Sequence, residues 1–204
     1  MAAQVFTFKI TYADCDNRIW RTAAVSSNFT LAQLGYMVLA TFDTMAYHLF
    51  EMKFKNTTYF LTEEDFEDLP EEENENYNLL SLYKIGNLNM NAGDKIEMTY
   101  DLGCNQVFDI ELMEISEMPK GSERAYPKIL DGAGRGIIDD MPASELLEII
   151  RKIDSGERSG IHYSGDGYAD GPEWNYRNYE LEWGNRFLKG TIDRISDGHE
   201  ELED

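Results

Sequence analysis

Basic residues are scarce in this chain. Its 204 residues include 18 Lys and Arg against 39 Asp and Glu, a formal net charge of −21. That deficit argues against a general phosphate-binding surface, because nucleic-acid binders neutralise phosphates with clustered Lys and Arg. It argues equally against docking on anionic membranes. Cysteine is almost missing too. Cys15 and Cys104 are the only two, too few for a disulfide framework, so a reducing, cytoplasmic location is the expectation. Long apolar runs are absent. The most apolar window, residues 34–42, is too short to span a bilayer. No basic segment followed by an apolar run opens the chain, so a signal peptide is not expected. What is present is 42% hydrophobic residues, enough for a real core at this length and too many for wholesale disorder.

The acids are unevenly spread. Residues 63–75 hold nine acids and no base, and residues 193–204 hold six acids with Arg194; together they carry −14 of the −21. Runs of like charge are ordinarily solvated. The functional alternative is a surface for a basic protein partner, with Glu63, Glu64, Asp65, Glu71, Glu72 and Glu73 as its contacts, or a mimic of nucleic-acid phosphates. Phe66 and Leu69 either anchor such a contact or dock the loop.

Periodicity predicts an α+β domain. Phe6, Phe8, Ile10 and Tyr12 alternate with polar residues, the mark of a half-buried strand over 5–13. A turn cluster at 14–17 leads to a returning strand over 18–25, in which Trp20 is expected to pack against the next helix. Thr30 and Gln33 fit a capping box ahead of a helix over 31–42. A second hairpin is expected over 47–54 and 57–61, and further strands over 95–101 and 107–115. Residues 79–91 are ambiguous, and 119–136 read as irregular. Pro142 opens a helix through 154 with Leu146, Ile149, Ile150 and Ile153 as its stripe. A polar loop over 160–172 precedes a last helix over 182–195, with Trp183, Phe187, Leu188 and Ile192 buried. Strands first and helices later suggest a mixed, mainly antiparallel sheet with an N-terminal hairpin, a packed helix after it and C-terminal helices. The expected organisation is one domain over 1–196 with an acidic loop at 63–78, then an acidic tail at 197–204.

Catalytic motifs are weak. The stretch from Asp131 fails as a calcium loop, because Ala133, Arg135 and Pro142 stand at ligand positions. Asp166 and Asp170 are explained by turn chemistry. The glycines around Arg135 lack the strand-to-helix context of a phosphate loop. His48, His162 and His199 are dispersed and match no zinc spacing, so no metal site and no cofactor are expected. Cys104 has no local base to activate it. Tyr163, Tyr168, Trp174, Tyr176 and Tyr179 suit core packing or a partner surface.

The chain resembles the plasmid pRiA4b ORF-3-like family, also labelled insertion-element passenger TnpR-like. The resemblance starts at Ile19-Trp20-Arg21 and continues through Thr30-Leu31-Ala32-Gln33-Leu34 and His48-Leu49-Phe50. It runs on through Tyr100-Asp101-Leu102-Gly103, then Tyr126-Pro127, Leu130-Asp131-Gly132 and the pair Asp139-Asp140, in the family's order over roughly residues 6–154. It implies the family's fold and an association with mobile elements. It brings no established activity, and no serine-recombinase chemistry is visible. Cys104 replaces the family's second Asp of the turn, Gln106 its Trp and Phe108 its His, while Gly136-Ile137-Ile138 replaces its Cys-Pro-Pro.

Three functions follow as expectations. The favoured one is a non-enzymatic interaction protein contacting a basic partner, with no catalytic residue. The second is a small-ligand or cation-binding module in a carboxylate cleft made by Asp101, Asp109, Asp131, Asp139 and Asp140. The third, a hydrolase on the same acids, is weakest, because paired carboxylates need a defined separation and shifted pKa values. Oligomeric state is not legible in the sequence.

Overall fold

The computed structural model describes residues 3–13, 15–62, 77–162 and 172–200. The acidic run with Glu63, Glu64, Asp65, Glu71, Glu72 and Glu73 lies outside the described residues, as do Asp166, Asp170 and residues 201–204.

Strand β1 (Gln4–Tyr12) pairs antiparallel with β2 (Trp20–Ser26) on one side and β7 (Gln106–Glu117) on the other. Helix α1 (Leu31–Thr41) follows the hairpin, and its Thr30–Gln33 capping box is formed in both directions. Strands β3 (Phe50–Phe54), β4 (Thr57–Phe60), β5 (Tyr77–Leu79), β6 (Lys95–Tyr100) and β8 (Lys128–Ala133) complete one eight-stranded sheet. Its order is β5-β4-β3-β6-β7-β1-β2-β8, antiparallel except for the β4–β5 pair. Helices α2 (Ala143–Asp154) and α3 (Leu181–Glu200) close the chain, and α3 packs against α1 and β8. This is the α+β architecture the periodicity predicts. Among the described residues no helix is long and apolar enough to cross a membrane.

The helices and loops bury one sheet face. Phe8, Ile10 and Tyr12 of β1, Ile96 and Met98 of β6 and Phe108 and Ile110 of β7 meet Leu34, Val38 and Phe42 from the α1 region in one core. Gly35 sets the closeness of α1, because a Cβ there would stand 2.2 Å from Phe50 Cε2.

The register corrects the expectation for Trp20. Cross-strand partners share a sheet face. Phe6, Phe8 and Ile10 face the core and pair with Val25, Ala23 and Arg21. Trp20 pairs with Thr11 instead, is half-buried on the outer face and carries Lys9 Nζ 5.7 Å above its ring. Arg21 therefore goes inside, at 0% exposure. Its guanidinium donates to the carbonyls of Thr41 (3.0 Å), Trp20 (2.8 Å), Ala133 (2.8 Å) and Arg135 (2.8 Å). It lies 3.8 Å from the Tyr179 ring centroid and 4.8 Å from that of Phe42. Burial lowers its pKa to about 10, so it stays charged at neutral pH.

Three other segments differ from the sequence reading. Residues 128–133 form an edge strand, whereas the whole of 119–136 reads as irregular; the Asn185 side chain bonds both the N–H and the C=O of Ile129 there. Trp183 and Phe187 are 61% and 49% exposed, stacked edge-to-face 4.8 Å apart on the outer side of α3 rather than buried. Strand β3 begins at Phe50, so Tyr47 and His48 sit in a loop whose Asp43 and Ala46 have positive φ.

Candidate functional site

Three segments far apart in sequence meet at one end of β6 and β3. The first is the 43–49 loop. The second is the turn that ends β6, where Asp101 adopts φ +53°. Asp101 Oδ1 accepts the Gly103 and Cys104 N–H groups at 3.2 Å each, and its backbone carbonyl accepts those of Cys104 and Asn105. The third is the segment before α2. There buried Gln106 holds the carbonyls of Ile138 and Met141 at 2.9 and 3.0 Å, and Asp140 turns back with φ +59°. Two side chains at the centre thus come from left-handed backbone, which Asp tolerates better than most residues but at some cost.

His48 Nε2 stands 2.8 Å from Asp140 Oδ1 and 3.6 Å from Asp101 Oδ2. One donor atom from each of the three residues lies within 4.8 Å of the others. The Tyr47 hydroxyl donates to Asp140 Oδ2. That bond, followed by the His48 contact, holds the Asp140 carboxyl below its ordinary pKa, and the same bond raises the Tyr47 phenol. Asp139 is a brace. Its Oδ1 accepts from Tyr100 OH at 2.6 Å and its Oδ2 from Met45 N–H at 2.9 Å. Burial, reinforced by this hydrogen bond, raises the Tyr100 phenol. Tyr100 also meets the His48 ring edge-to-face at 5.7 Å. Asp101 differs from these acids. Its side chain is 7% exposed, and its buried Oδ2 accepts no hydrogen bond. Cys104, half-buried, faces the Asp101 carboxylate; burial and that neighbour push its thiol pKa up.

Of the five acids expected in a cleft, the structure brings together Asp101, Asp139 and Asp140. Asp109 lies on β7 opposite Thr11 and Glu97, and Asp131 lies on β8 opposite Thr22, both away from this cluster. His48 was not among the expected residues. Its partner Asp140 is 92 residues away, a distance at which no spacing rule operates. The sequence signal for it was the His48-Leu49-Phe50 match alone. A separate cleft of about 480 Å³ opens between Thr41, Asp43, Arg135, Tyr179 and Trp183, where Asp43 and Arg135 pair at 3.1 Å.

A crystal structure of a protein of unknown function, MM3350 from Methanosarcina mazei Go1, shares this fold. Its TM-score is 0.68 at 18% identity, over 89% of this chain and 97% of that one. No curated protein matches the chain. The profile described as plasmid pRiA4b ORF-3-like protein matches residues 4–170. That span contains the hairpin, the capped helix and all three segments of the cluster, and the chain belongs to the plasmid pRiA4b ORF-3-like family.

Proposed function

We propose that this chain is a cation-binding module, with a divalent ion held by His48 Nε2, Asp101 Oδ2 and Asp140 Oδ1. The observation that carries the reading is Asp101 Oδ2, buried without a donor and 3.6 Å from His48 Nε2. Leaving a buried acceptor unsatisfied costs about 1–3 kcal/mol, and more when it is charged. A cation removes that cost. The spacing also suits one. Metal–ligand bonds of about 2.1 Å put neighbouring donor atoms about 3.0 Å apart in an octahedron and about 3.4 Å apart in a tetrahedron. The 2.8 and 3.6 Å separations bracket those edges. Asp140 is 63% exposed, so the outer coordination positions face water or a ligand oxygen.

The competing account is a protonated His48 paired with two carboxylates, which needs no cation. Calorimetric titration of chelator-treated protein with Zn²⁺ or Mn²⁺ separates the two. The cation reading expects one ion per chain and a stability gain of about 2.7 kcal/mol at a hundredfold excess over Kd, both lost in Asp101→Asn. Failure of every divalent ion to bind would sink it.

The acidic run supports a second reading, a basic protein partner steered by its charge. Rim charges act mainly on association rate. Replacing Glu71, Glu72 and Glu73 with Gln is then expected to slow association and flatten its salt dependence, and equal rates for both forms would count against it.

A further inference from the structure

We propose that the cleft between Tyr179 and Trp183 binds a neutral, planar heteroaromatic ring of the nucleobase or nucleoside class. The site is separate from the cation cluster and does not depend on it. Its volume of about 480 Å³ falls inside the range of about 300–1,000 Å³ usual for small-molecule sites.

Three observations carry the ligand class. The first is a fixed aromatic wall. Tyr179 lines the cleft, and buried Arg21 lies over its ring, 3.8 Å from the centroid. Gly132 lets the two close up, because a Cβ there would stand 2.9 Å from Arg21 Cδ and 3.0 Å from Tyr179 Cε1. A ring held this way is ordered before any ligand arrives, which lowers the cost of binding. The second is Trp183, which lines the same cleft from the first turn of α3 and is 61% exposed. Phe187 braces it edge-to-face at 4.8 Å. Aromatic surface left open beside a concave site is where a flat ring gains most by stacking. The third is the polar part of the lining. Asp43 and Arg135 both line the cleft, paired at 3.1 Å, and Asn178 joins them. A carboxylate accepts, a guanidinium donates and an amide does both. Acceptor and donor side by side match the edge of a nucleobase, which carries both kinds of group. Charge then narrows the class. Arg21 and Arg135 are balanced by Asp43 and Glu180, so the surroundings call for no net charge on the ligand. A phosphate would lack a counter-charge on a chain of net charge −21, so a base or nucleoside fits and a nucleotide does not.

Full-length protein, stripped with chelator, is titrated with adenosine, guanosine, cytidine and uridine, followed by calorimetry and by tryptophan fluorescence. At least one nucleoside is expected to bind at one per chain and to quench the fluorescence. Trp183→Ala, which removes a mostly exposed side chain and leaves the core intact, is expected to weaken that binding about five- to a hundredfold, the range for loss of one stacked base, and to abolish the quenching. Trp20→Phe and Asp101→Asn lie outside the cleft and are expected to keep both. The 5′-monophosphate is expected to bind more weakly than its nucleoside, and benzyl alcohol, a flat ring without the hydrogen-bonding edge, at least about tenfold more weakly. Failure of all four nucleosides to bind, or equal binding by Trp183→Ala, would overturn the proposal. A monophosphate that binds more tightly than its nucleoside would overturn the neutral class, and benzyl alcohol binding as well as the nucleoside would overturn the nucleobase edge. Loss of nucleoside binding in Asp101→Asn would overturn the separation from the cation cluster.

Discussion

Two buried charges are treated in opposite ways. Arg21 is wholly enclosed and makes no ion pair among the described residues, feeling only the Asp43 charge, yet its donors reach four backbone carbonyls and it lies over the Tyr179 and Phe42 rings. Asp101 is nearly as enclosed, yet its Oδ2 accepts no hydrogen bond and has only His48 Nε2 3.6 Å away. A buried charge with four of its five N–H donors bonded to carbonyls is a structural joint. Arg21 ties β2 to the end of α1 and to the 133–135 segment. A buried charge with a bond withheld is costly unless something else supplies the missing partner. The contrast separates architecture from candidate chemistry more sharply than the acid count does.

The largest expected effect tests the Arg21 half of that contrast. Arg21→Ala strands four carbonyls and opens a cavity beneath two rings, and is expected to cost about 3–5 kcal/mol in urea unfolding. A loss below about 1 kcal/mol would mean that water satisfies those carbonyls and that the joint is not one. The opposite behaviour is expected of Asp101→Asn without metal. Removing a buried charge whose Oδ2 accepts no hydrogen bond is expected to leave stability unchanged or raise it by about 1 kcal/mol, although cation binding is lost. Destabilisation of the metal-free variant by more than about 2 kcal/mol would show that Oδ2 is held by the fold itself.

Trp20→Ala gives a smaller effect. On the outer face it is expected to cost about 1 kcal/mol, against the 3–5 kcal/mol of a core aromatic. A core-sized loss would put the indole inside. The smallest effect is a pH slope at His199, which is buried, stacked 5.5 Å from the Tyr36 ring and edge-on to Phe50, with the Ala46 backbone as a polar neighbour. Burial lowers its pKa below the ordinary value, and the neighbouring Ala46 backbone offsets this in part. The neutral ring is therefore the folded form. Its stability contribution is complete above the ordinary value, about 6.5, and is lost as pH falls through the lower folded value. His199→Phe is expected to flatten the melting-temperature profile between about pH 7 and 5 relative to wild type. An unchanged slope would assign that dependence to other groups.

Local signals carried much of the fold. The alternation of Phe6, Phe8, Ile10 and Tyr12 and the Thr30–Gln33 box are complete within a few residues, and both elements formed where those residues stand. Strand β8 escaped notice because Ile129 is its only buried apolar residue and its outer edge is finished by Asn185, a residue from another element. The size of Trp20 points it toward the core, whereas the register with β1 turns Arg21 inward instead. At the site, Asp101, Asp139 and Asp140 were legible as acids within the family-matched segments. Their convergence with His48 depends on the β3–β6 pairing and on Gln106 anchoring the 138–141 segment, neither of which has a local signature.

The Asn185 contact has a consequence for association. An edge strand offers its backbone donors and acceptors to any passing strand. At Ile129 both are already taken by one primary amide, which imitates a neighbouring strand for the length of a single residue. A second copy pairing along this margin would have to evict the amide first, so growth of the sheet past β8 is opposed near the start of the strand.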